Sequence, residues 1–249
     1  MSGILNHLKR VFIFTLVFIL AFSITASADH LKNDVHAVAS NYGFTIVILG
    51  DSQMAGTGWD GGYETCISET YPNSKIINLA HGGDFLVNGD ILKQWKYYLT
   101  NYTEKPDFIL LDGGINDLSH ARERKFQKDV GKIKDSLHAL VTQIHEDCPD
   151  AHMIYTLMPP LVEWDDEDYG PPSYDLQKTF WRIMNINASQ YSYITVLDLF
   201  SLNPFRYPCS DCYQEYFSDS VHLSEAGYRK TFEYIDNIIL ANLSEKLFD

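Results

Sequence analysis

The chain has 249 residues, 45% of them hydrophobic and 14% aromatic, which is enough for one packed core and too apolar for a disordered chain. A formal net charge of −14 repels phosphate backbones, so nucleic acid is not an expected partner.

In chain order, the first feature is a charged stretch ending in Lys9 and Arg10, followed by the apolar run Val11 to Ile24 and then Ala26-Ser27-Ala28. The run is shorter than the roughly 20 residues a membrane-spanning helix needs, and the small residues suit a signal peptidase. Residues 1–28 therefore read as a secretory signal peptide. Residues 29–249 would form a single domain outside the cell, or in the periplasm of a bacterium, with no stable membrane insertion after cleavage.

Five short runs rich in β-branched and aromatic residues read as buried strands: Phe44 to Leu49, Lys75 to Ala80, Asp107 to Asp112, His152 to Met158 and Ile194 to Leu199. Helical spacing is clearest from Arg122 to His145, where Phe126, Val130, Ile133, Leu137, Leu140, Val141 and Ile144 share one face. A last helix runs from Ser224, its expected N-cap, to Leu243. Strands alternating with helices call for a parallel sheet covered on both faces, with ligands beyond the carboxyl ends of the strands. Pro159 to Pro172 is an acidic, Pro-rich loop that includes Trp164.

Four cysteines, Cys66, Cys148, Cys209 and Cys212, in an exported chain favour disulfides, and a local Cys209 to Cys212 bridge is the preferred pairing. Cys209 and Cys212 supply only half of a zinc site, and no metal or organic cofactor is implied. Sequons occur at Asn101, Asn187 and Asn242.

The residues able to carry chemistry lie just after the strands. Gly50-Asp51-Ser52 follows the first, where a glycine allows a sharp turn and a following helix could offer N-terminal amides to an anion. A serine nucleophile needs a base, and Asp219-Ser220-Val221-His222 puts a carboxylate and an imidazole within one turn of chain. Gly82-Gly83 and Asn116, after the second and third strands, are candidate donors to an oxyanion. Singly, each of these is as readily a helix cap or a turn residue; together they form the parts list of an acyl-transfer site.

With these four blocks in order, the sequence resembles the GDSL, or SGNH, hydrolase family. Gly50-Asp51-Ser52-Gln53 matches the nucleophile block, with Gln53 in place of the usual Leu, a departure expected to affect packing more than chemistry. Asn78 to Asp84 matches the second block, although Ala80 stands where a glycine is usual; Gly114-Ile115-Asn116-Asp117 and Asp219-x-x-His222 match the third and fourth. The resemblance implies a flavodoxin-like three-layer α/β/α sandwich with a five-stranded parallel sheet. It further implies a Ser52, His222 and Asp219 triad, an oxyanion hole from the N–H groups of Ser52 and Gly83 and the Asn116 amide, and an ester substrate, either a small molecule or borne on a polysaccharide. An acyltransferase using the same residues and a catalytically silent secreted binding module are the alternatives. An α/β-hydrolase lipase shares the order Ser, Asp, His, but Met54 breaks its Gly-x-Ser-x-Gly elbow.

Overall fold

The computed structural model describes residues 36, 38–120, 123–161, 173–208 and 210–248. The expected signal peptide, Cys209 and with it the expected Cys209 to Cys212 bridge, and most of the acidic loop, with Trp164, lie outside the described residues. Cys66 and Cys148 are buried free thiols, so neither forms the disulfide that four cysteines in an exported chain led us to expect.

Five strands, β1 (Thr45–Leu49), β2 (Lys75–Asn78), β3 (Phe108–Leu111), β4 (His152–Leu157) and β5 (Ile194–Asp198), form one sheet in the order β2-β1-β3-β4-β5. Every pairing is parallel. All four residues of β3, and four of the five in β1, are buried, as expected for central strands covered on both faces. β2 ends two residues before the sequence pattern suggests. Asn78 Oδ1 accepts the N–H of Ala80 at 3.1 Å, and this local turn takes the chain out of the strand.

The longer helices are α1 (Gly62–Thr70), α2 (Asp90–Asn101), α4 (Glu123–Asp147), α5 (Tyr174–Ala188) and α8 (Glu225–Phe248). Three are short: α3 (Ile115–His120), α6 (Leu199–Leu202) and α7 (Ser210–Tyr216). α1 packs against α8, while α4 contacts both α2 and α5. Right-handed crossovers between parallel strands place these two groups on opposite faces of the sheet, giving three layers.

The predicted apolar stripe of α4 is buried at Ile133, Leu137, Leu140, Val141 and Ile144. On α8, Tyr228, Phe232, Ile235 and Ile239 are buried, and Ser224 Oγ accepts the N–H of Gly227 at 3.3 Å as an N-cap. None of the described helices is long and apolar enough to cross a membrane.

The chain moves from β1 outward to β2 and then crosses back to β3 on the other side of β1. That reversal opens a crevice at the carboxyl ends of β1 and β3, the usual place for a ligand in a sheet of this kind.

Candidate active site

The crevice holds Ser52, three residues beyond β1, and a turn between α7 and α8 brings His222 to it. His222 Nε2 lies 2.9 Å from Ser52 Oγ, and His222 Nδ1 lies 2.7 Å from Asp219 Oδ2. With Nδ1–H donating to the carboxylate, Nε2 is left to accept the serine proton. Ser52 is 8% exposed. The His222 and Asp219 side chains are 22% and 49% exposed, so the series runs from the protein interior to its surface.

Asp219 also organises its own turn. Its Oδ1 accepts the N–H groups of Val221 at 2.8 Å and His222 at 2.7 Å. Phe217 and Leu223 form an antiparallel bridge, and Ser218 N–H donates to His222 O at 2.9 Å, closing the turn on itself. Partial burial pushes the Asp219 carboxyl up. The N–H of His222, its ring and the N–H of Val221 outweigh this and hold it below the usual carboxylate range.

Ser52 does not stand at the start of a regular helix, as the sequence suggested. Residues 51–61 form a succession of turns and bends, with Ala55 N–H on Asp51 O at 3.0 Å and Thr57 N–H on Ser52 O at 3.0 Å, and α1 begins only at Gly62. Among the described residues, the N–H groups of Ser52 and Gly83 enter no hydrogen bond. A Cβ built on Gly82 would lie 3.7 Å from Ser52 Cβ, so the glycine pair borders the serine directly. Gly83 has φ +85, a conformation that favours glycine. Asn116, at the start of α3, donates one amide proton to Asp84 O at 2.9 Å, which orients the side chain beside the same glycine pair.

Two supporting residues escaped the sequence reading. Gln94 on α2 is buried, donates from Nε2 to Gly50 O at 2.7 Å and to Asp84 Oδ2 at 2.8 Å, and accepts Gly50 N–H at 2.9 Å. It thereby ties the turn before Ser52 to the segment carrying Gly83. Its signal was its register: Ile91, Gln94, Trp95 and Tyr98 form the buried face of α2, so a glutamine there had to find polar partners inside.

The second is Asp112, directly after β3, whose Oδ1 accepts Asp51 N–H at 3.1 Å across the crevice. A Cβ on Gly50, where φ is +149, would meet this oxygen at 1.9 Å, so the close approach requires glycine. Burial raises both the Asp51 and the Asp112 carboxyls well above the usual carboxylate range, and the neighbouring negative charges of Asp117 and Asp84 add to the effect at Asp51. Asp117 holds the loop after Gly83 by accepting Leu86 N–H at 2.9 Å and Val87 N–H at 3.0 Å. Among the described residues, no group of three or more His, Cys, Asp or Glu side chains is arranged to hold a metal ion.

A profile of the GDSL-like lipase/acylhydrolase family matches residues 48–230, most of the chain. The chain belongs to that family. Solved structures share its fold at low identity. A lipase/acylhydrolase from Enterococcus faecalis superposes with a TM-score of 0.58 at 20% identity, covering 82% of this chain and 96% of its own. A catalytic mutant of an acetylxylan esterase from Geobacillus stearothermophilus gives 0.59 at 18% identity over 79% and 94% of the two chains. A further acetyl xylan esterase gives 0.58 at 18% identity over 78% and 98%. No curated protein matches the sequence.

Within this GDSL-like acylhydrolase, the residues drawn from the four family blocks come together as a group. Ser52, Asp219 and His222 are hydrogen-bonded in series, with Gly82, Gly83 and Asn116 around the serine. Asn78 of the second block donates to Met54 O at 3.0 Å, joining the end of β2 to the Ser52 turns. Gln53, expected to alter packing, instead makes a polar contact: its Nε2 donates to Val221 O at 2.8 Å.

Proposed function

We propose that the protein is an exported carboxylic ester hydrolase that works through an acyl-enzyme on Ser52. The observation that carries this reading is the series of short contacts from Ser52 Oγ through the His222 ring to Asp219, at 2.9 and 2.7 Å. His222 Nε2 takes the Ser52 proton as Oγ attacks the ester carbonyl; the carbonyl electron pair moves onto oxygen as the tetrahedral intermediate forms. The N–H groups of Ser52 and Gly83 and the Asn116 amide receive that oxyanion. Collapse expels the alcohol, which takes its proton from His222. Water, deprotonated by the same ring, then cleaves the acyl-serine, releasing the carboxylic acid and restoring Ser52. Asp219 holds the ring tautomer and stabilises the imidazolium throughout.

Acetylated saccharides are the first substrates to try, because two of the structural neighbours are named as acetyl xylan esterases. The formal net charge of −14 and the apolar N-terminal run support export as a soluble enzyme. The test is hydrolysis of a short-chain aryl ester and of acetylated xylan by the wild type and by Ser52→Ala, with folding compared by circular dichroism. Turnover by the wild type and a loss on the order of 10⁴-fold or more in the variant are expected. Equal rates in two folded proteins overturn the assignment.

A further inference from the structure

Gln53 stands beside the nucleophile, is only 1% exposed, and replaces a family leucine with a side chain that has four hydrogen-bonding positions to satisfy. Its two backbone groups and one side-chain donor are well placed. Its N–H donates to Asp51 Oδ1 at 3.1 Å, its carbonyl accepts the Tyr228 hydroxyl at 2.7 Å, and its side-chain Nε2 donates to Val221 O at 2.8 Å. The remaining acceptor, Oε1, is buried and has no partner among the described residues. An unmade buried acceptor costs about as much as one neutral hydrogen bond returns, so a leucine or methionine of similar volume would change stability little, even though the half-buried Val221 would lose the donor to its carbonyl. The reason for a glutamine here must be sought in the bond it does make.

That bond falls on the peptide linking Val221 to His222. The oxygen of this peptide is held by Gln53 Nε2, and its N–H is held by Asp219 Oδ1 at 2.7 Å. A peptide unit is planar, so pinning both ends fixes its orientation and with it the starting point of the His222 side chain. The turn from Phe217 to Leu223 is closed mainly on itself, and the Asp219 side chain is half exposed. Gln53 Nε2 is therefore the side-chain donor that anchors this turn to the element bearing Ser52, across 168 positions of sequence.

We propose that Gln53 is a positioning residue that sets the distance and angle between His222 Nε2 and Ser52 Oγ by holding the Val221 carbonyl. The inference rests on Ser52 being the nucleophile. Its consequence is a separation of stability from rate: removing the donor leaves the fold intact and slows proton transfer.

The experiment compares the wild type with Gln53→Met, which keeps length and burial but cannot donate, and with Gln53→Leu, which restores the family residue. Thermal midpoint, kcat, KM and the rate of Ser52 labelling by a fluorophosphonate are measured for each. A fall in kcat and labelling rate of about 10- to 100-fold, with KM and the thermal midpoint little changed, is the expected result. Unchanged kcat in both variants, or a loss of rate that only follows a loss of stability, overturns the proposal. Histidine-ring NMR, with the His222 signals assigned from His222→Gln, supplies a measurement independent of turnover. In Gln53→Met the His222 ring resonances should shift while those of the other histidines stay in place, and unshifted resonances overturn the proposal. A wild type that neither hydrolyses esters nor labels at Ser52 would instead refute the esterase reading, with the ring spectra still deciding whether Gln53 positions His222.

Discussion

The side chain of Gln94 pairs with the peptide of Gly50 in both directions, donating to its carbonyl at 2.7 Å and accepting its N–H at 2.9 Å. The last residue before Asp51-Ser52 is thus held by a helix that follows β2 rather than by its own neighbours. Gln94→Leu would strand the Gly50 N–H inside the protein, at about 1–3 kcal/mol, while Gly50 O keeps the His81 N–H at 3.2 Å. The expected outcome is a loss of about 1–3 kcal/mol in denaturant unfolding, with lower esterase activity because Asp84 and the Gly83 segment lose the same anchor. A variant as stable as the wild type would show that the pairing is dispensable.

Asn116 is expected to matter for rate rather than for folding. Asn116→Ala should lower kcat roughly 100- to 1,000-fold with little change in KM, the range for loss of one oxyanion donor. Steady-state kinetics on a short-chain aryl ester decides this; a change confined to KM would make Asn116 a ground-state contact instead.

Asp219 offers a sharper contrast. Its folded pKa lies below the unfolded value, so its contribution to stability is present above about pH 4 and is lost as pH falls through the folded value. The side chain is half exposed and screened, which keeps that contribution within about 1 kcal/mol. Asp219→Asn is therefore expected to unfold at nearly the wild-type denaturant midpoint while kcat falls by up to about 10⁴-fold, because the ring loses its orienting acceptor. A large stability loss would move Asp219 from chemistry to architecture.

The buried carboxyls of Asp51 and Asp112 act in the opposite sense. Both pKa values are raised, so the folded protein retains protons that the unfolded chain has released, and stability falls as pH rises from about 4. Asp112→Asn keeps an oxygen for Asp51 N–H and removes one titrating group. Its thermal midpoint should exceed that of the wild type by more at pH 8 than at pH 4. Parallel pH curves for the two proteins would exclude this pair as the source of the dependence.

Gly50→Ala tests the closeness of the crevice. The new Cβ would meet Asp112 Oδ1 at 1.9 Å in a backbone conformation that L-residues avoid. A destabilisation of about 4 kcal/mol or more is expected, visible as loss of soluble folded protein.

Hydrophobic pattern alone determined the order of strands and helices and the parallel sheet, because buried strands and amphipathic helices are written locally in runs and periods. The four blocks containing Ser52, Gly83, Asn116 and the Asp219-His222 pair were also legible, since each is a short motif beside a predicted element. Tertiary structure alone decided how these blocks are held in register. Gln94 lies 44 positions from Gly50, Asp112 lies 61 from Asp51, and Gln53 lies 168 from Val221, so no local pattern reports their pairing. It also decided that Ser52 sits among turns rather than at a helix start, and that Gln53 is a polar link rather than a packing variant. A buried amide or carboxyl must satisfy its hydrogen bonds with whatever the fold brings beside it, and for these residues that partner is set by which elements meet near the carboxyl ends of the parallel strands β1 and β3, not by the neighbouring sequence.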